Sequence, residues 1–154
     1  MSVRVYLESN FTPDVAEEIV PLYRALHMET LGEELPGLNT DFLRDAVITD
    51  MLRVVLARDG TKLVGFMLAY QGVSLTGKKQ ITITQIYVDR EYRGRGRNKE
   101  RERNVATTMV ELIQTLALGA KAVVGIVARG QRAIDFYVGM GATPVELILE
   151  FKNV

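Results

Sequence analysis

Apolar positions along the first half of this chain change period several times, and each change marks an element. Val3, Val5 and Leu7 alternate with Arg4, Tyr6 and Glu8, the period of a half-buried strand. Thr12, Pro13 and Asp14 then supply an N-cap, a proline at the first helical position and an acidic first turn, followed by Ala16, Ile19, Val20, Tyr23 and Leu26 at helical spacing. Pro21 is expected to kink or split this helix, because it lacks an N–H and crowds the carbonyl of Glu17. After a loop around Gly32, Pro36 and Gly37, a second helix is predicted from Thr40 or Asp41, with Phe42, Leu43, Ala46 and Val47 inward. Leu52 to Ala57 and Leu63 to Tyr70 flank Asp59-Gly60, a hairpin signal between two apolar extended runs.

The second half begins with a turn-rich loop from Gly72 to Lys79 and a β-branched run, Ile81 to Val88, predicted as the fourth strand. Val105, Met109, Leu112, Ile113 and Leu116 form a helical stripe ended by Gly119. Ala122 to Ala128 is apolar throughout, as in a strand covered on both faces. A short helix over Ala133, Ile134, Phe136, Tyr137 and Met140 ends at Gly139 or Gly141, and Val145 to Phe151 is predicted as a last strand. The crossover helix between the fourth and fifth strands predicts that they lie parallel, diverging near Val88.

At 154 residues, with no repeat or linker, the chain is expected to be one domain spanning 1–154. Nineteen basic and nineteen acidic residues cancel, so any charged site must be local. The absence of cysteine excludes a disulfide framework, Cys-based zinc and a Cys nucleophile, and a single histidine leaves His-rich metal sites without ligands. No metal is expected. No apolar run reaches membrane-spanning length, so no membrane partner and a cytoplasmic location are expected.

Two local imbalances stand against that neutral total. Between Arg90 and Arg103 seven basic residues meet three acidic ones, and from His27 to Asp50 six carboxylates face Arg44. Either run is compatible with a solvated face. At the centre of the basic run, QIYVDREYRGRGRN (Gln85 to Asn98) passes from a strand into a glycine-arginine turn and then a helix-compatible segment. Gly94 and Gly96 let the backbone turn tightly so that successive N–H groups face one anion, with Arg93, Arg95 and Arg97 adding charge.

With that strand, RGRG turn, long helix, apolar strand and AIDFYVGMGA in order, the chain resembles the GCN5-related N-acetyltransferase (GNAT) superfamily over nearly its whole length. The resemblance implies an α/β fold: a mixed, mostly antiparallel sheet splayed after strand four, with helices on both faces. It implies acetyl-CoA as co-substrate and acetyl transfer to an amine of a small molecule or protein. The alternatives are a GNAT-like binding or structural module without activity and, behind it, a nucleic-acid contact through Arg90 to Arg103. By resemblance Ile86 and Val88 offer backbone groups to the pantetheine arm, and Arg93, Gly94, Arg95, Gly96, Arg97 and Asn98 hold the diphosphate. Tyr137 is the acid for the departing thiolate, and Gln85 stands where many members carry a glutamate, able to orient water but not to take a proton. Asn98 replaces a small residue of the family pattern, Gly130 replaces an asparagine, and RNKERERN (Arg97 to Asn104) implies either a lengthened helix or an insertion. Because the first two helices wall the family's acceptor cleft, Glu29, Glu33, Glu34, Asp41 and Asp45 are candidates to draw a cationic amine. A homodimer is compatible with this reading.

Overall fold

The computed structural model describes residues 3–31, 38–73, 77, 79–93, 99–116, 121–124 and 131–143. Strand β1 (Val3–Leu7) leads into helix α1 (Pro13–Leu31), helix α2 (Thr40–Ile48), strands β2 (Leu52–Asp59), β3 (Lys62–Val73) and β4 (Lys79–Val88), a 3₁₀ turn (Arg90–Tyr92), helix α3 (Lys99–Leu116), strand β5 (Lys121–Val124) and helix α4 (Gln131–Gly139). The strands form one sheet in chain order, antiparallel from β1 to β4 and parallel between β4 and β5. The parallel pairing expected of the crossover is therefore present, running from Gln80 opposite Lys121 to Ile83 opposite Val124. Residues 125–130, on which the expected divergence near Val88 depends, lie outside the described residues, as do the predicted last strand, Gly119 and Gly130.

Helices cover both faces. On one, α3 contributes Val105, Met109, Val110 and Ile113 and α4 contributes Tyr137, packed on Val55, Ala57, Met67, Ile81, Ile83 and Val88. On the other, Ala16 and Ile19 of α1 and Leu43 and Ala46 of α2 pack on Val54, Leu56, Phe66, Leu68 and Tyr87. Arg58 of β2 helps dock α1, reaching the two carboxylate oxygens of Glu18 at 2.7 and 3.0 Å and the Tyr6 hydroxyl at 2.9 Å.

Two expectations change, and a third, left between a lengthened helix and an insertion, is decided for the helix. Pro21 does not split α1: Pro21 and Glu17 are both on the exposed side, where water can satisfy the carbonyl that proline leaves free, while Ala16 and Ile19 hold the opposite side to the sheet. Phe42 is exposed instead of inward, and Leu43 and Ala46 carry the packing of α2, whose first turn is closed by Asn39 accepting the Phe42 N–H at 2.9 Å. From Lys99 to Asn104 the charged run is helix, continuous with the apolar stripe that follows, as Lys, Glu and Arg, all good helix formers, allow. At the far end, α4 closes in a Schellman arrangement, with the Ala142 N–H on the Tyr137 carbonyl at 3.0 Å, the Gly141 N–H on the Val138 carbonyl at 3.0 Å, and Gly141 at φ +97°.

Candidate active site

The alternation of β4 slips by one residue in its middle. Ile83 pairs with Ala69 and Gln85 with Leu68, leaving Thr84 as the extra residue of a β-bulge, its hydroxyl donating to the Leu68 carbonyl at 3.2 Å. A side-chain period of two would otherwise place Ile83, Gln85 and Tyr87 on one face. With the bulge, Ile81, Ile83, Ile86 and Val88 all join the α3/α4 face, and Tyr87 lies among the α1/α2 residues. Gln85, two residues before Tyr87 and opposite Leu68, shares that α1/α2 face and is half-buried.

Beyond the bulge, the backbone of β4 is set by its partner. The Asp89 N–H donates to the Val64 carbonyl at 2.8 Å, so the alternation of an antiparallel strand turns the N–H groups of Ile86 and Val88 away from β3, toward the side on which β5 lies. Gly65 makes the close approach possible: a Cβ there would sit 2.9 Å from the Tyr87 carbonyl oxygen.

The chain then leaves the strand through a tightly fastened turn. Asp89 caps the 3₁₀ turn, accepting the Glu91 N–H at 3.3 Å, and Tyr92 donates its hydroxyl to Asp59 at 2.6 Å. That hydrogen bond, with burial and neighbouring carboxylates, pushes the Tyr92 phenol up to about 12. On the other side, Glu29 of α1 accepts from the Tyr87 hydroxyl at 3.1 Å, from Arg90 Nε at 3.0 Å and from an Arg93 terminal nitrogen at 2.8 Å. Arg93 also donates through Nε to the Val88 carbonyl at 2.6 Å and lies over the Tyr87 ring, 4.9 Å from its centroid. Burial raises the Glu29 carboxyl, but the hydrogen bonds and charge of Arg93, with Arg90 and Tyr87, outweigh it and hold the group below its usual range.

Tyr137 lies on α4 in the same core as Val88 and Ile86, edge-on to Phe136 with ring centroids 5.0 Å apart. Its residue is only 4% exposed, and burial raises the phenol well above its ordinary value, so the hydroxyl stays protonated. The structure thus brings Ile86, Val88 and Tyr137 together and puts Gln85 on the opposite face of the sheet. Gly94, Arg95, Gly96, Arg97 and Asn98 lie outside the described residues, as do Glu33 and Glu34. Asp41 is exposed and 3.8 Å from Arg44. Among the described residues no group of three or more acidic, His or Cys side chains could hold a metal, and no helix is long and apolar enough to cross a membrane.

Sequence reasoning missed the bulge and the Glu29 cluster. The bulge has a signal, the slip from Ile81 and Ile83 to Ile86 and Val88. The cluster joins residues about sixty positions apart, and no local spacing announces it. His27 is half-buried against Tyr23 at 4.2 Å between ring centroids, and among the described residues its buried Nε2 has no hydrogen-bond partner.

A strand and two helices before an antiparallel β2–β4 unit, then a helical crossover to a parallel β5, define the N-acetyltransferase class of α/β fold. The sequence profile of the Acetyltransferase (GNAT) family matches residues 16–142, and the chain belongs to that family of acetyltransferases. Similar solved structures include the ribosomal-protein-alanine N-acetyltransferase of Brucella melitensis biovar Abortus 2308, at 18% identity over 97% of this chain and 99% of that one, with a TM-score of 0.70. An aminoglycoside acetyltransferase from an uncultured soil metagenomic sample, in complex with sisomicin, matches at 14% identity over 99% of this chain and 95% of the other, TM-score 0.75. A possible acetyltransferase of Clostridium difficile 630 matches at 15% identity over 99% and 97% of the two chains, TM-score 0.73. At such identities the likeness is one of fold. No curated protein matches the chain.

Proposed function

We propose that this protein transfers an acetyl group from acetyl-CoA to the nitrogen of an amine. The observation that supports the reading is the common cluster of Val88 and Tyr137: a backbone N–H turned away from β3 at the end of a bulged strand and a buried, protonated phenol in one core. Acetyl-CoA supplies an activated acyl thioester. The outward N–H groups of Ile86 and Val88 fit an extended amide-bearing arm laid along β4, and the Val88 N–H would face charge developing on the acyl oxygen. Backbone groups of Gly94 to Asn98, following Arg93, are the proposed diphosphate site. As the C–N bond forms and the C–S bond breaks, the Tyr137 hydroxyl gives its proton to the sulfur and takes one back from water before the next turnover. The proton lost by the amine leaves through water that Gln85, on the α1/α2 face, would orient.

The acceptor is proposed to be a cationic amine entering past α1 and α2, drawn by Asp41, Asp45, Glu33 and Glu34. Glu29 is less suited to that task, because its carboxylate is shared by two arginines. Two of the similar structures are, by name, a ribosomal-protein-alanine N-acetyltransferase and an aminoglycoside acetyltransferase, whose named acceptors are consistent with an amine.

The test has two arms. Acetyl-CoA at a hundredfold excess over its dissociation constant should add about 2.7 kcal/mol of stability, read as a rise in Tm. Thiol release with an amine panel should then show turnover that favours cationic amines and weakens with added salt. No thermal response at millimolar acetyl-CoA would overturn the co-substrate assignment. Equal rates for neutral and cationic amines, independent of salt, would overturn the acceptor assignment.

A further inference from the structure

The side chain that fastens the end of β4 comes from elsewhere in the chain. Glu29 lies in the last turn of α1, where a carboxylate opposes the negative end of the helix dipole and does nothing for the helix itself. Both its oxygens nonetheless accept hydrogen bonds, one from Tyr87 and Arg90 and the other from Arg93, residues three apart along the path out of the strand. The contact lies at the surface of the fold, with 24% of the Glu29 side chain and 17% of the Arg93 side chain exposed. Arg93 in turn holds the Val88 carbonyl, the acceptor of the residue whose N–H is turned away from β3. One carboxylate between two guanidiniums leaves no negative charge to offer an incoming amine.

We infer that Glu29 is a positioning residue that locks the segment from Tyr87 to Arg93 in one geometry and, through it, the acetyl-CoA site. The inference deepens the proposed function and rests on it for the cofactor's identity. Arg93 by this account is a strut, its Nε on the Val88 carbonyl and its terminal nitrogen on Glu29. A glutamine at position 29 can still accept from Tyr87, but it turns an amide N–H₂ donor toward a guanidinium or gives up one of the two arginines. The tie between Arg93 and α1 is thereby lost with little change in volume.

The experiment compares the parent with Glu29→Gln, Arg93→Gln and the double variant. Amide hydrogen exchange without ligand should speed up in Glu29→Gln over peptides spanning 87–93 while the rest of the chain exchanges as in the parent. Acetyl-CoA affinity, read by thermal shift and as KM for acetyl-CoA, should weaken about tenfold, with the KM for the amine unchanged. In the Arg93→Gln background, Glu29→Gln should add little, because both act through one contact. Unchanged exchange over 87–93 would overturn the inference, as would a change confined to the amine's KM, which would make Glu29 an acceptor residue. If the parent binds no acetyl-CoA, the proposed function fails, and the exchange data alone then decide whether Glu29 locks the strand end.

Discussion

A phenol buried as deeply as that of Tyr137 keeps its proton far into the alkaline range, which suits it to give a proton and not to take one. Tyr137→Phe removes that proton while keeping the ring and its contact with Phe136. Stability and acetyl-CoA affinity should barely change, while kcat should fall by roughly 10²- to 10⁴-fold, the usual worth of general acid catalysis. Turnover equal to the parent's would take Tyr137 out of the mechanism. Gln85 poses the complementary question, since it cannot titrate. The rate is therefore expected to keep rising with pH toward the amine's own pKa, near 10.4 for an alkyl amine, and Gln85→Glu should move the profile to lower pH. A profile unmoved by that substitution would mean the α1/α2 face does not handle the amine's proton.

At the scale of elements, the site depends on β4 leaving β3 at the right distance, and Gly65 sets that distance. An added methyl would meet the Tyr87 carbonyl at 2.9 Å and the Ala57 Cβ at 3.4 Å, and neither can move without shifting a strand. Gly65→Ala should therefore cost about 1–3 kcal/mol in urea unfolding, and in the surviving folded protein it should raise the KM for acetyl-CoA. A variant as stable as the parent would show that β4 yields freely there. The strands and helices of this layer were legible from period alone, because half-buried elements must repeat apolar positions every 2 or 3.6 residues. The bulge was written in the same code, as a slip between Ile83 and Ile86. Pro21 misled because proline's penalty depends on whether the freed carbonyl faces water, which the local sequence does not state. The fastening of the strand end by Glu29 could not be read at all: α1 and the end of β4 meet in space across a long stretch of chain, and a carboxylate at position 29 looks like any solvated one until Tyr87 and the arginines are placed beside it.

For the molecule as a whole, these fastenings make stability depend on pH in separable windows. Glu18 is held below its usual value of 4.5, first by its hydrogen bond to Arg58, and Glu29 is lowered from the same value once the arginines outweigh burial. A carboxyl with a depressed folded pKa stabilises the fold fully above its unfolded value and loses that contribution as pH falls through the folded one, so both act below about 4.5. His27 is lowered from 6.5 by burial and is neutral in the fold. The unfolded chain then binds the extra proton first, and stability declines as pH drops below 6.5. On the alkaline side the phenols of Tyr23, Tyr87, Tyr92 and Tyr137 are all raised from 10.0, so the fold keeps protons the unfolded chain releases, and stability falls as pH climbs past 10. Urea unfolding across the pH range should accordingly give a plateau between about 6.5 and 10 with two distinct steps on its acid side. His27→Gln should flatten the upper acid step and leave the lower one, and Glu18→Gln together with Glu29→Gln should do the reverse. If His27→Gln retains the parent's slope between pH 6.5 and 4.5, the imidazole is hydrated in solution and its burial against Tyr23 is not what makes the fold sensitive to acid.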